Sequence, residues 1–454
     1  MRHSITRKLT GVLAVLLVIS VFCSVVTACT PSNAANALNL ASPTYPEAVQ
    51  SPGEGASDKD FDNWQAYNEK REKAAEGNRK ALKPFYKKTL AQFLGQSKAA
   101  ASDSDKNAVY SPLNVYLALA MLTETTDGSS REQLLSLLGE KDLAALRKRV
   151  KKLFTANYQD DGTCTSLLAN SLWLNEALSY NQETLDRLAK NHYASAYAGQ
   201  PGTEKMNKAL QAWVNENTHD LLKDQVQNLT LDPSVVLALV STIYYKTAWS
   251  ETFDKEATKE QTFYAPSGEV KVDMMHLSES FAYYTGTNFE AVALPLMNSG
   301  YMWFFLPKKD VKAGALAADK QVLNLLADPE GYKNFAYPQV TLSLPKMDVV
   351  SDTDLIKDLK KLGVTDIFNA GRADFSPLMN DAKDIEVSEV EHAARVKTDE
   401  DGVEAAAYTA IVLSKAAMPV DFVDFTVDRP FYFALTGYTG DLLFAGIVNN
   451  PVAK

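Results

Sequence analysis

The stretch TDEDGVEAAAYTAIVLSKAAMPVDFVDFTVDRPF, Thr398 to Phe431, combines two patterns that rarely occur together. Gly402 and the alanine run after it are typical of a flexible loop. From Val403 to Leu413, however, small or apolar residues alternate with a mixed set, which is the imperfect period-2 pattern of a half-buried strand. The stretch therefore predicts a segment that is suited both to an exposed loop and to a strand, and the fold has to accommodate both.

The composition is that of an ordinary globular protein and argues against a nucleic-acid binder. The chain has 454 residues, of which 46% are hydrophobic and 22% charged, and its formal net charge is −10. A nucleic-acid-binding surface usually needs an excess of Lys and Arg. Only three cysteines occur, Cys23, Cys29 and Cys164. The first two lie in the N-terminal leader, so no internal disulfide is expected, and we interpret Cys164 as a buried small hydrophobe.

The N-terminus has the parts of a secretory signal, a basic start followed by an apolar run. The run ends in Val26-Thr27-Ala28-Cys29, which resembles the lipobox of bacterial lipoproteins, whose peptidase cuts before the cysteine. We therefore predict a lipoprotein signal peptide over residues 1–28, a lipid on Cys29, and an extracytoplasmic protein tethered to the cell membrane. Plain secretion and an uncleaved anchor helix are the alternatives.

Residues 29–77 separate this leader from the folded part. Pro, Ser, Ala, Asn and Gly dominate from Thr30 to about Lys59, and such a composition buries too little surface to order itself. A highly charged pattern follows from Phe61 to Gly77 and predicts a solvated helix. Apolar residues at helical spacing begin with Leu82. We therefore expect a flexible linker and a charged helical segment over 29–77, and a folded domain that starts at about residue 78.

No motif in the sequence indicates an active site. After the leader the chain has four scattered histidines and one cysteine, and it lacks the G-x-S-x-G, H-E-x-x-H and C-x-x-C motifs. A Ser-His-Asp triad assembles in space and needs no sequence motif. We nevertheless expect no enzymatic activity, no metal and no cofactor, because no pattern brings the required side chains together.

Helical patterns dominate the first third of the body and strand patterns the rest, which predicts an α+β domain. Val235 to Tyr245 is a near-continuous apolar run, as expected of a central strand buried on both sides. Several blocks follow one another in the order of a known family: NAVYSPLNVYLALAML from Asn107, LLANSLWLN from Leu167, VVLALVSTIYYKTAWSETFD from Val235, TFYAPSGEVKVDMMH from Thr262 and DRPFYFALTGYTGDLLFAGIVNNP from Asp428. Together they resemble the serpins, the serine protease inhibitor family, over residues 78–454.

This resemblance implies an architecture. Serpins have about nine helices around three β-sheets, with an exposed reactive-centre loop that corresponds here to about residues 400–424. The resemblance implies a monomer that is an inhibitor and not an enzyme.

The resemblance also gives a role to buried polar residues. In serpins a histidine lies under the central sheet where the sheet opens and is hydrogen-bonded to polar side chains, which would be His392 with Ser111, Asn114 and Ser241. Trp249 matches the family's central tryptophan. The family usually has Ser where this chain has Asn114, and Asn where it has Ser241. A buried polar group needs a partner, which an exchanged pair can still supply.

The opening stretch resembles the hinge of the serpin reactive loop, which is exposed before cleavage and inserts into a sheet afterwards. Insertion requires small side chains, an uncharged buried face and no proline, and Pro419 is the first proline after Val403. Tyr408 is larger than the residue usual in the family and falls on the face that we expect to point to solvent. The resemblance assigns the hinge to Glu400, Asp401, Gly402, Val403, Glu404, Ala405, Ala406, Ala407, Tyr408 and Thr409.

Counting from the hinge places the bond that a protease would cut. In typical serpins the residue before that bond lies sixteen positions after the first hinge glutamate, here Glu400, which gives the bond Ala416–Ala417. A small residue suits an elastase-like or subtilisin-like serine protease with a small apolar primary pocket. A register one residue earlier would present Lys415 to trypsin-like enzymes. We predict a suicide inhibitor whose target forms an acyl-enzyme with Ala416; the alternative is a non-inhibitory serpin-fold binding protein.

A basic run, LRKRVKK, begins at Leu146 on a predicted helix. In some serpins the helix in this place binds sulfated polysaccharides, and the five cations suit an anionic chain. A solvated face that balances the acidic excess elsewhere is the simpler interpretation. The five residues are Arg147, Lys148, Arg149, Lys151 and Lys152.

Overall fold

The computed structural model describes residues 37–53, 55–101, 104–380, 385–388, 390–403 and 421–453. Within these ranges no helix is both long enough and apolar enough to cross a membrane. The predicted signal peptide and Cys29 lie outside the described residues.

Ten α-helices form in the described ranges, against about nine expected, and a π-helical turn at Leu90–Leu94 continues α2. The helices are α1 Asp58–Ala75, α2 Asn78–Thr89, α3 Pro112–Thr125, α4 Gly128–Leu138, α5 Leu143–Asn157, α6 Gln182–His192, α7 Glu204–Asn217, α8 Lys223–Val226, α9 Lys320–Ala327 and α10 Ile356–Lys361.

Nineteen strands form in the same ranges. They are β1 Leu38–Ala41, β2 Ala108–Tyr110, β3 Gln159–Asp160, β4 Cys164–Asn175, β5 Ala194–Gly199, β6 Leu237–Ala248, β7 Lys259–Ala265, β8 Gly268–Ser280, β9 Ala282–Thr285, β10 Phe289–Pro295, β11 Tyr301–Pro307, β12 Phe335–Ala336, β13 Gln339–Pro345, β14 Met347–Asp354, β15 Glu391–Thr398, β16 Gly402–Val403, β17 Phe422–Thr426, β18 Phe431–Thr436 and β19 Leu442–Val448.

The strands build three sheets in the part of the chain that the structure describes. The central sheet has the order β1-β5-β4-β6-β16-β15-β14, with β3 paired to β4. A second sheet has the order β12-β9-β10-β11-β18-β19-β2, and a third has β17-β13-β8-β7. The predicted α+β class with three sheets is confirmed.

Helix α3 fixes the central sheet to the second sheet. It begins at Ser111, whose side chain caps the helix, and Pro112 occupies the first turn, where its missing N–H costs nothing. Nearly all of its residues are buried, as expected of a helix that is apolar on every side. It contacts both β6 and β19, so the core lies between these two sheets.

We predicted that β6 is buried on both faces, but part of it is only half-buried. One edge pairs with β4 over eleven residues, from Thr247 down to Leu237. Among the described residues the other edge pairs only with β16, at Thr247 and Ala248. The residues from Leu237 to Ser241 are consequently only half-buried.

The prediction that residues 30–59 form a flexible linker is partly wrong. Residues 38–41 form β1, which pairs with β5 and becomes the edge strand of the central sheet. Tyr45 stacks on Tyr158 with ring centroids 5.4 Å apart, and the Ser51 backbone N–H donates to the carbonyl of Asp161 at 2.8 Å. Packing therefore starts well before residue 78, because a few apolar and aromatic side chains suffice to fix a segment on an existing sheet edge.

The charged helix is present as α1, but it is not simply solvated. Ser57 and Asp60 form a capping box that starts it. Arg71 is almost fully buried: its Nε donates to the carbonyl of Ala156 at 3.2 Å and its Nη2 to Oε1 of Gln159 at 2.6 Å. Its guanidinium also lies 4.5 Å from the centre of the Tyr438 ring. Arg71 thus joins α1 to the end of α5.

Replacing Arg71 tests this connection. We expect Arg71→Met to lower the free energy of unfolding by about 3 kcal/mol, because it leaves buried acceptors without their charged donor. Lys70→Met is the matched control, since Lys70 is the exposed neighbour on the same helix. Denaturant unfolding measures both, and equal stability of the two variants would contradict the role of Arg71.

Candidate functional site

The candidate site is a gap in the central sheet between β6 and β15. Strand β15 pairs with β14 along its whole length, from Glu391 to Thr398, but in the described ranges its other edge meets β16 only at Thr398. Below that point no described residue pairs with the facing edges of β6 and β15. A small pocket lies there, and its lining includes Ile243, Tyr245, Val396, Val403, Leu435 and Phe444.

Gly402 and Val403 close the upper end of this gap. Val403 is only 3% exposed and lies between Thr247 of β6 and Thr398 of β15. At Gly402 an added Cβ would lie 2.3 Å from the carbonyl oxygen of Thr247, so only glycine fits against the strand here. Gly402 and Val403 therefore already lie between β6 and β15 in the sheet.

Glu400 and Asp401 hold the chain in front of the gap. Oε1 of Glu400 accepts hydrogen bonds from Thr258 at 2.8 Å and from Lys346 at 3.2 Å. Burial raises the pKa of the Glu400 carboxyl, but the hydrogen bonds outweigh it and the net pKa lies below its ordinary value. Asp401 forms an ion pair with Lys255 at 2.7 Å. The hinge carboxylates are thus anchored as anions.

Trp249 supports the same end of the gap. Its Nε1 donates to the carbonyl of Asp399 at 2.8 Å, and its backbone N–H donates to the carbonyl of Asp401 at 3.2 Å. It is fully buried and lies edge-on to Phe253. Trp249 therefore holds the segment from Asp399 to Asp401 in place. The resemblance places Trp249 and His392 in one region where the sheet opens, but the two residues lie at different ends of the gap.

His392 is the second residue of β15, near the end of that strand opposite Thr398. It is buried, and its Nε2 accepts the backbone N–H of Ser111 at 3.0 Å. The Ser111 hydroxyl donates to the carbonyl of Leu443 at 2.7 Å, so the partner of His392 is the start of α3 and not the expected side chain. Burial lowers the pKa of His392 to about 4, and the ring is neutral at neutral pH.

Among the described residues, no hydrogen bond joins His392 to Asn114 or Ser241, the two positions at which this chain exchanges the family's usual Ser and Asn. Asn114 is buried one turn into α3, and its backbone N–H donates to the Ser111 hydroxyl at 3.3 Å. Oγ of Ser241 is buried on β6 and has no hydrogen-bond partner among the described residues. The structure therefore assigns Asn114 to the helix start and leaves Ser241 as an open hydroxyl beside the gap.

Other predicted residues lie outside the described residues. These are the later hinge residues Glu404, Ala405, Ala406, Ala407, Tyr408 and Thr409, the predicted reactive bond Ala416–Ala417, and Cys29. The sequence did not reveal Thr258, Lys255 and Lys346, which bind the carboxylates of Glu400 and Asp401, because single lysines and threonines in connecting segments carry no pattern.

Two of the five cations in the basic run on α5 form ion pairs. Arg147 donates to Glu124 at 2.8 Å, and Arg149 donates to Glu140 at 3.0 Å. Burial raises the pKa of Glu124, but hydrogen bonds from His192 and Arg147 lower it overall to about 2. Helix α1 packs on α5 as well. Lys148 and Lys151 are exposed, so two of the five predicted cations are free to face solvent.

No alternative chemistry is apparent in the described part of the chain. No group of three or more His, Cys, Asp or Glu side chains there could hold a metal ion. Cys164 is buried, and this burial raises the pKa of its thiol to about 12, which suppresses the reactive thiolate.

The neutral state of His392 predicts that the free energy of unfolding depends on pH. Its pKa of about 4 lies below the ordinary value of 6.5, so unfolded chains bind a proton that the native protein excludes. The resulting stability is complete above pH 6.5 and is lost as the pH falls towards 4, by about 3 kcal/mol. We expect His392→Gln to flatten this part of the stability profile.

The control for this experiment is His219→Gln, because His219 is exposed. Its profile should follow that of the unchanged protein between pH 6.5 and 4. A profile of His392→Gln that is equally steep would show that His392 titrates normally.

Comparison with known proteins identifies the family. Residues 89–451 match the family described as Serpin (serine protease inhibitor). Iripin-2 of Ixodes ricinus is 30% identical over 365 residues, covering 78% of this chain and 90% of the relative. Serpin B11 of Mus musculus is 29% identical over 374 residues, covering 78% of this chain and 95% of the relative.

Solved structures share the fold. The crystal structure of the thermophilic serpin tengpin in its native state has a TM-score of 0.70 and 21% identity, covering 91% of this chain and 99% of that chain. Human glycosylated kallistatin also gives a TM-score of 0.70, with 22% identity and coverage of 83% and 100%. The protein therefore belongs to the serpin family and has the serpin fold.

Proposed function

We propose that the protein is a suicide-substrate inhibitor of serine proteases and that its reactive loop enters the gap between β6 and β15. Serpins are in general inhibitors of serine proteases and not enzymes. The observation that carries the proposal for this chain is Val403, which already lies between Thr247 and Thr398 at the head of the gap.

The register at Val403 specifies where the next residues would go. Continued by two residues, it sets Ala405 between Tyr245 and Val396. A further two residues set Ala407 beside Ile243. These side chains would face the small pocket whose walls include Ile243, Tyr245 and Val396, where a short apolar side chain meets the least steric resistance. Small apolar residues at positions 405 and 407 would therefore suit this pocket.

The same register gives Thr409 a polar environment. It would lie between Ser241 and His392 on the buried face of the sheet. Oγ of Ser241 has no hydrogen-bond partner among the described residues, so a hydroxyl at position 409 could supply one. The open Ser241 hydroxyl supports insertion at least as far as this point.

The register also revises the environment expected for Tyr408. An inserted Tyr408 would lie opposite Thr242, which is buried, and next to Ala393. That face of the sheet carries Val240, which packs against the apolar cluster around Trp213 of α7. We propose that an inserted Tyr408 would lie beneath the apolar cluster around Trp213 and not in open solvent. Its large side chain would therefore slow insertion.

The chemistry belongs to the target protease. Its serine Oγ would attack the carbonyl carbon of Ala416, form an ester and release Ala417 as a new amino terminus. Insertion of the freed strand would then carry the acylated protease along the sheet before water cleaves the ester. Alanine before the bond favours a small apolar primary pocket, as in elastase-like or subtilisin-like enzymes.

A denaturing gel after mixing with an elastase-like protease tests this proposal. We expect a covalent complex that survives denaturant, and a released C-terminal peptide that begins at Ala417. A peptide that begins at Ala416 would shift the bond to Lys415–Ala416. Cleavage that leaves the protease fully active would contradict inhibition and favour a non-inhibitory binding protein.

Val403→Glu tests insertion separately from cleavage. A carboxylate at this buried position would have to be desolvated, so the loop should be cut but inserted too slowly. We expect the covalent complex to fall at least tenfold while the cleaved fraction rises by the same amount. Val403→Thr, which keeps the branched side chain, is the matched control and should inhibit normally. Equal trapping by both variants would exclude the gap as the insertion site.

We also propose that the protein is an extracytoplasmic lipoprotein tethered through Cys29, which the sequence Val26–Cys29 alone supports.

Labelling with a fatty-acid analogue tests the anchor. We expect label on the mature protein from a bacterial host and none on Cys29→Ala, which should appear in the soluble fraction. Cys23→Ala is the control and should remain labelled. A labelled Cys29→Ala variant would contradict the lipobox assignment.

A further inference from the structure

Three exposed aromatic side chains lie together at the C-terminal end of the reactive loop. Phe422 is 79% exposed, Tyr337 64% and Phe335 49%. Phe422 pairs with Gln339, two residues beyond Tyr337, and the rings of Tyr337 and Phe335 meet edge to face at 5.9 Å. We call these three residues the aromatic strip.

The aromatic strip is held in place by the two sheets from which it projects. The Gln339 backbone N–H donates to the carbonyl of Asp421 at 3.0 Å, which fixes the chain just before Phe422. Phe335 pairs with Tyr284 in the second sheet, and their rings lie 6.2 Å apart. Rigid exposed aromatics lose little side-chain entropy on binding, and such residues dominate the energetics of protein interfaces.

The position of the strip identifies what would cover it. Phe422 follows Ala417 by five residues, so the two Cα atoms are at most about 17 Å apart even in an extended chain. A protease domain of about 230 residues has a radius of gyration of about 17 Å. A protease engaged at Ala416–Ala417 would therefore reach over Phe422.

We propose that the aromatic strip is a secondary docking site for the target serine protease, which it contacts beside the primary pocket. This inference rests on the proposed function, because it uses the bond Ala416–Ala417. Asp421 and Asp424 are exposed on either side of Phe422 and add negative charge at the rim. The matching protease surface would be apolar with cationic neighbours, and complementary charge of this kind accelerates association.

The rate of loop cleavage tests the strip. The triple variant Phe335→Ser, Tyr337→Ser, Phe422→Ser should react at least tenfold more slowly with an elastase-like protease, and Phe422→Ser alone at least threefold more slowly. Tyr264→Ser is the matched control, because Tyr264 is 54% exposed on β7, at the opposite edge of the sheet that contains Phe422. It should react within twofold of the unchanged protein.

The readout is the second-order rate constant for cutting Ala416–Ala417, whether or not the acyl-enzyme is then trapped. If the protease is free and active after cleavage, the proposed inhibition is wrong. The ratio of cleavage rates between the triple variant and the unchanged protein still tests the aromatic strip in that case. Equal rates for the triple variant and Tyr264→Ser, with melting temperatures unchanged, would overturn the docking site. An unchanged protein that small-pocket proteases do not cut, or a triple variant that changes only self-association, would overturn it as well.

Discussion

Among the residues that the structure describes, two neighbouring strands of the central sheet each have a largely unpaired edge, and much of the candidate site depends on this constraint. Backbone N–H and C=O groups in a sheet normally pair on both sides, and an open edge invites a further strand. In the described ranges β6 and β15 are joined through Gly402 and Val403 at one end. An inserted strand of about ten residues would bond to both neighbours, a gain on the order of 10 kcal/mol. If the proposed insertion takes place, the native protein is kinetically and not thermodynamically stable.

The side chains around the gap fall into two groups with different effects. At the upper end Trp249, Lys346 and Thr258 bind Asp399 and Glu400 and keep the hinge at the entrance. Further along, His392 accepts from the start of α3, and the Ser241 hydroxyl has no partner among the described residues. In the proposed mechanism the first group would set where a strand begins to insert, and the second would favour a hydroxyl-bearing residue deeper in the sheet.

The sequence predicted the features that repeat along the chain and missed those that depend on single distant residues. Periodicity gave the α+β class, and the block order gave the serpin resemblance. The early edge strand was missed because Leu38–Ala41 is four residues long in a polar context. Helix α1 has only three buried residues among eighteen, too few for the sequence to show which face packs against the protein. The pair of Lys346 with Glu400 joins residues 54 positions apart, which only the folded chain brings together.

Hydrogen–deuterium exchange of intact and loop-cleaved protein tests the central claim most directly. In the intact protein the amides of β6 from Leu237 to Lys246 and of β15 from Glu391 to Lys397 that face the gap should exchange readily. After cleavage at Ala416–Ala417 the same amides should become protected at least a hundredfold, because a new strand pairs with both edges. Unchanged exchange in cleaved protein would show that the loop does not enter the sheet and would contradict the proposed mechanism.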